Sequence, residues 1–278
     1  MTDIAVTAKA RPRVPAAGVV VAGVVLAALL VAVLVPDSLA AGPDEVDPLI
    51  ALRPPDGTHW LGTDQLGRDV YARIVHGARI SLVTGVAATA LAVVAGTLLG
   101  LLSALGGRLV DEVLMRAVDV LLALPGILLA LLVIAVLGPG PVSELVAIAF
   151  AAVPGYARMI RGQALSVRRA DYVTSAIAVG VRPIGLVWRH VLPNSLGPVL
   201  VLATLGTGSA IIIGSSLSFL GLGPRQPTPE WGAMLADGRD FLSTAWWVGV
   251  FPGLAITVTV VAVTVLGRRW QRRFEGLR

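Results

Sequence analysis

Cysteine is absent from the 278 residues, and lysine occurs once, at Lys9. The first absence excludes a disulfide framework, a thiolate metal site and a cysteine nucleophile. Charge is scarce too: 14% of residues are Asp, Glu, Lys or Arg, against roughly 25% in an average globular chain. The three histidines, His59, His76 and His190, stand apart and show no metal-ligand spacing, so His59 and His76 read as ordinary loop residues. Lys9 lies outside any Gly-x-x-x-x-Gly-Lys pattern, which leaves no Walker A loop to cradle a nucleotide, and no Gly-x-Ser-x-Gly elbow occurs.

What is present is apolar. Hydrophobic residues make up 56% of the chain and the mean hydropathy is +0.84. Too little polar surface remains to cover a soluble core, and far too much apolar surface for a disordered chain. The composition places the chain in a membrane.

A helix needs roughly 20 apolar residues to cross about 30 Å of hydrocarbon. Uncharged runs occupy residues 16–35, 80–107, 120–143, 145–157, 196–224 and 246–267, of which 145–157 is short. Trp246-Trp247 and Trp270 bracket the last run as an aromatic belt would. The fold expected is all-α, with six membrane-spanning helices.

The net charge of +5 and pI near 10.6 would fit nucleic acid, yet the arginines form no basic stripe. They sort by topology instead. With the N-terminus inside and six alternating spans, one side collects Lys9, Arg11, Arg13, Arg108, Arg116, Arg158, Arg161, Arg168, Arg169, Arg182, Arg189 and the tail from Arg268 to Arg278. The other keeps Arg53, Arg68, Arg73, Arg79, Arg225 and Arg239 together with most of the acids. The positive-inside rule then puts both termini in the cytoplasm, which requires the short fourth run to span. Ser38-Leu39-Ala40 resembles a signal-cleavage site ahead of Ala41, but the preceding apolar run exceeds the 7–15 residues of a signal core, so an uncleaved anchor is expected.

Several charged residues acquire local expectations. Asp119, at the start of the third run, is expected to pair with Arg116 one turn earlier, and Asp69 with Arg73 along an amphipathic surface helix carrying Leu66, Val70 and Ile74. Glu144 is expected in an outer turn, leaving no charge deep in a span and no signature of ion-coupled transport. Gly96-x-x-x-Gly100 and Gly249-x-x-x-Gly253 have the spacing of close helix contacts, a weak signal among 31 glycines.

The stretch 158–195 is too patterned for a plain connector. Asp171 to Val179 reads as a short helix and Gly180 as its stop. Pro183 then opens a second helix whose Ile184, Val187, Trp188 and Val191 form one apolar face, with Leu192-Pro193-Asn194 closing it. The pattern suits docking on a cytoplasmic partner, and equally a helix resting on lipid.

These residues carry a resemblance. Tyr172 to Gly180, followed by Trp188 to Asn194, resembles the EAA loop of ABC-importer permeases. His59 to Val70, Pro154 to Arg158, Leu217 to Gly223, Pro229 to Asp240 and Phe251-Pro252-Gly253 resemble the C-subunit type of the dipeptide, oligopeptide and nickel permeases. The resemblance covers residues 15–267 and implies a type I importer permease whose coupling helices engage an ATPase subunit. It implies a heterodimer with a second permease, two ABC ATPases that bind the ATP and magnesium, and an extracytoplasmic binding protein. The chain itself would be no enzyme and would bind no cofactor.

By position, Asp171, Tyr172, Thr174, Ser175, Ala176, Gly180, Leu192 and Pro193 would form the coupling loop. Thr174 and Ser175 depart from the acidic residue and alanine of the family motif, and Asp171 is the nearest acid able to substitute. The implied organisation is 1–78 for tail, first helix and outer loop, 79–267 for the permease domain and 268–278 for a basic tail. Peptides are the implied cargo; nickel, another solute, or a non-transporting scaffold remain the alternatives.

Overall fold

The computed structural model describes residues 16–40 and 42–275, so Lys9, Arg11, Arg13, Ala41 and Arg278 lie outside the described residues. Among the described residues every regular element is helical, and the one isolated β-bridge, Thr63 with Asp69, belongs to a loop. The principal helices are α1 (Ala16–Leu34), α2 (Val70–Leu105), α3 (Arg108–Leu122), α4 (Gly126–Leu137), α5 (Pro141–Arg168), α6 (Asp171–Ala178), α7 (Leu192–Phe219), α8 (Trp231–Gly238) and α9 (Trp247–Glu275). Five of them, α1, α2, α5, α7 and α9, are long and apolar enough to cross a membrane. Their exposed side chains are themselves apolar, including Val20, Val24, Val86, Val94, Leu98, Leu254 and Val258. Water would penalise that surface and hydrocarbon does not.

The sixth span differs from expectation. The run predicted at 120–143 breaks at Ala123-Leu124-Pro125, where α3 and α4 meet at 97°. Pro125 has no N–H to continue the helix and holds Leu124 out of the helical region, so the chain turns there. Only the 12 residues of α4 then run with the bundle, and α3 lies across its end.

α2 starts ten residues earlier than predicted. Asp69 caps it by accepting from the Ala72 amide at 3.0 Å, so Val70 and Ile74 belong to the 36-residue helix and not to a separate surface helix. The borders placed at 78/79 and 267/268 fall inside α2 and α9, and neither marks a break in the chain.

α2 packs along α5 through small residues. A Cβ on Gly96 would sit 2.5 Å from the Tyr156 Cβ, and one on Gly100 would sit 2.6 Å from the Ala157 carbonyl oxygen. The first Gly-x-x-x-Gly spacing is therefore a close helix contact. The second serves a different neighbour: Gly249 meets Gly238 of α8, where an added Cβ on Gly238 would lie 2.5 Å from the Gly249 nitrogen. One core joins α2, α4, α5 and α7 around Ala92, Ile134, Ile148, Tyr156, Ile160 and Leu217. Another joins α1, α2, α8 and α9 around Trp231 and Trp247. Trp247 is thus no belt residue; its indole donates to the Thr63 carbonyl at 3.0 Å, while Trp246 beside it stays half exposed.

The connections gather at two ends. The loop end carries residues 35–69 and 220–246, and the hairpin end carries α3 and the 169–191 segment.

Candidate functional site

At the hairpin end α5 stops at Arg168, and three residues later α6 begins with Asp171 in its first turn, where a carboxylate favours the helix N-terminus. α6 ends in a Schellman motif. The Val181 amide donates to the Ala176 carbonyl at 3.1 Å while Gly180 takes φ +88°. Only a residue without Cβ adopts that conformation at no steric cost, which is why glycine stands at 180. The short helix and its stop therefore fall where the residues placed them.

The second half of the hairpin differs. After Pro183–Leu186 the chain makes a π-turn, Val187–Val191, and runs without a break into α7. Leu192 and Pro193 open the spanning helix and do not close the loop. The cause is Pro193, which lacks the N–H that would bond the Arg189 carbonyl. The turn widens there, the Leu192 amide bonding Val187, while the Asn194 side-chain amide donates to His190 and the Ser195 hydroxyl to Val191. The widened turn also breaks the expected apolar face: Val191 is fully buried beside Ala104 and Ala164, but Trp188 is 66% exposed.

The predicted residues thus divide. Asp171, Tyr172, Ser175, Gly180 and Pro193 are exposed, Ala176 and Leu192 are partly covered, and Thr174 lies within α6. Val173 is the fully buried anchor of α6, a role its place among polar neighbours did not announce. Tyr172, Val179 and Trp188 form an exposed apolar set, with Tyr172 and His190 rings 6.3 Å apart.

α3 is braced beside this hairpin by ion pairs. Arg161 of α5 reaches both carboxylate oxygens of Asp111, at 2.5 and 2.6 Å, and Ser103 donates to the same group. Asp119 pairs with Arg158 and not with Arg116, because α3 lies across α5 and presents its carboxylates to it.

The loop end holds a polar network that periodicity did not disclose. Residues 63–69 form a tight turn in which Asp64 accepts from the Leu66 and Arg68 amides at 2.8 and 3.0 Å and from Arg68 Nε at 2.7 Å. Arg68 and Arg73 are both 2% exposed. Arg68 donates to Gln226, and Arg73 to Asp44 and to the carbonyls of Pro43 and Pro227, which ties the two loops together. Asp69 therefore faces His59, at 2.8 Å, and not Arg73; His76 bonds the Ala40 carbonyl. Both histidines are engaged in holding the loop. Burial pushes the Asp237 carboxyl above its ordinary value, with Arg68 and Arg73 opposing. Glu144 is 2% exposed, inside α5 and bonded to Ser218, not in an outer turn. A carboxylate three residues after a helix-opening proline was the available signal.

Comparisons with known proteins agree with this architecture. Residues 96–276 match the model of the family described as binding-protein-dependent transport system inner membrane component. The dipeptide transport system permease protein DppC of Alkalihalophilus pseudofirmus is 43% identical over 223 residues, 80% of this chain and 73% of that protein. The glutathione transport system permease protein GsiD of Pectobacterium atrosepticum is 43% identical over 77% of this chain and 71% of its own length. Among solved structures, a chain of the MetNI methionine ABC transporter in inward-facing conformations shares the fold, with TM-score 0.59 and 17% identity over 72% of this chain and 95% of that one. The chain belongs to the family of binding-protein-dependent transport system inner membrane components, as a multi-pass permease subunit.

Proposed function

We propose that this permease forms half of the path by which an ATP-driven importer moves di- or oligopeptides inward, beside a second, related permease. The hairpin end faces the cytoplasm with both termini, and the 169–191 segment is the surface on which an ATPase subunit docks. ATP and magnesium belong to that ATPase, and a binding protein delivers cargo at the loop end. One observation carries the docking assignment: a helix–glycine–helix hairpin, capped at Gly180, presents Tyr172, Val179 and Trp188 outward at the arginine-rich end. An exposed hairpin carrying large apolar side chains seats in a groove of a partner. The peptide assignment rests on the names of the relatives, which include dipeptide, di/tripeptide and glutathione permeases.

The absence of native cysteine makes the test clean. Tyr172→Cys or Trp188→Cys should cross-link to the ATPase subunit in the assembled transporter, and Trp60→Cys at the loop end should not. Capture of the ATPase only from position 60, or labelling of position 188 only by lipid-soluble reagents, would refute the docking surface. ATP hydrolysis stimulated by a dipeptide-loaded binding protein, and not by one loaded with nickel, tests the cargo.

A further inference from the structure

Four helices meet around a small cavity at the loop end. Ser81 and Thr84 of α2, Glu144 of α5, Ser215 of α7 and Glu230 at the cap of α8 line it. The space, about 10 Å³, admits one water-sized occupant. Glu144 and Glu230 are 2% and 3% exposed, and no basic side chain lines the cavity.

The two carboxylates are unequally served. Glu230 accepts from the Ser81 hydroxyl and the Gly232 amide at 2.9 Å on one oxygen, and from the Ala233 amide at 2.8 Å on the other. Among the described residues Glu144 is bonded only by the Ser218 hydroxyl, at 3.1 Å on Oε1. The Ser215 hydroxyl, on a residue more than nine-tenths buried, has no hydrogen-bond partner among the described residues. The other charged groups on these elements face elsewhere. Arg73 and His76 of α2 are engaged with the loops and Arg79 is exposed; Arg158, Arg161 and Arg168 of α5 lie at the hairpin end; Asp237 of α8 faces Gln226; and α7 carries no charged residue.

Two deficits therefore coincide. Two buried carboxylates in one cavity lack a positive charge, and a buried hydroxyl lacks a partner. A water molecule would satisfy the hydroxyl and leave the charge. A proton on Glu144 alone would settle the charge and leave the hydroxyl, which makes no hydrogen bond to either carboxylate. A small cation resting between them answers both.

We propose that this cavity binds one small monovalent cation, sodium or hydronium, held by the Glu144 and Glu230 carboxylates and the hydroxyls of Ser81 and Ser215. An all-oxygen ligand set suits a hard cation. Its occupancy ties α2, α5, α7 and α8 together at the loop end. The inference needs only the bundle geometry, so it stands apart from the cargo and docking assignments.

The test is thermal unfolding of the assembled transporter in nanodiscs, in choline chloride with and without sodium chloride at constant ionic strength, then in sodium-free buffer at falling pH. Sodium, or acid where sodium is absent, should raise Tm by about 2–4 °C, and both Ser215→Ala and Glu144→Gln should lose the shift. A sodium-dependent shift identifies sodium, and a shift with acid alone identifies hydronium. An acid shift abolished by Glu144→Gln but kept by Ser215→Ala would mean a bare proton on Glu144 and would overturn the site. So would a wild type indifferent to both titrations, or variants that retain the full shift. Should Glu144→Gln fail to assemble, Ser215→Ala carries the test.

Discussion

The Arg68 guanidinium meets the Asp64 carboxylate at 2.7 Å within one turn of chain, and both side chains are almost wholly enclosed. The same carboxylate accepts two backbone amides of that turn. Removing one partner leaves the other buried charge without its nearest counter-ion, at a cost of about 3–5 kcal/mol. Asp64→Ala should therefore lower Tm sharply and reduce membrane levels of the protein. The exposed Arg158–Asp119 pair offers the contrast: each side chain is more than half exposed, and Arg158→Ala should cost about 0–1 kcal/mol in the same melt.

Close approach of α2 and α5 depends on glycine at 100. Gly100→Ala must force its Cβ against the Ala157 carbonyl oxygen and Ile160, and should destabilise by about 1–3 kcal/mol. Gly155→Ala, in α5 with nothing within 4 Å of the new methyl, should be neutral or stabilising by up to about 1 kcal/mol. Equal effects in paired thermal melts would contradict the packing described.

Gly180→Val places a β-branched side chain at φ +88°, a conformation costing about 1–2 kcal/mol for a residue with a Cβ. The hairpin is exposed, so the bundle should still assemble, while substrate-stimulated ATP hydrolysis should fall by at least tenfold. Full stimulation in a well-expressed variant would remove Gly180 from the coupling surface.

Asp237 should make stability depend on pH. Its folded carboxyl titrates above the ordinary 3.8, so between those values the folded state binds more protons than the unfolded one. Stability therefore falls as pH rises through that window. Asp237→Asn, which keeps an oxygen toward Gln226, should gain Tm relative to wild type as pH climbs from 4 to 7. A constant difference across that range would rule the linkage out.

The physical basis of each element decides how much of it was legible in sequence. Apolar runs disclosed α1, α2, α5, α7 and α9, because a span must satisfy its backbone internally and bathe its side chains in lipid. Gly180 was legible as a stop because a positive φ is a local demand. The break before α4 was written in Pro125, yet the continuous apolar run around it masked the proline. At 193 the opposite happened: proline suggested an end, and the π-turn with Asn194 and Ser195 absorbed it.

Cysteine was missing, lysine nearly so and charge scarce, and from that scarcity together with the long apolar runs followed a polytopic helical membrane chain with its arginines gathered toward one side. Those are properties of solvent partition, and partition is summed residue by residue along the chain. Only the tertiary structure decided which of the few charges are enclosed and what they face: Arg73 against Asp44 and not Asp69, Asp119 against Arg158 and not Arg116, and Glu144 across a cavity from Glu230. Those partners lie up to 86 residues apart in sequence, counted from Glu144 to Glu230, and helical spacing reports only neighbours within a turn.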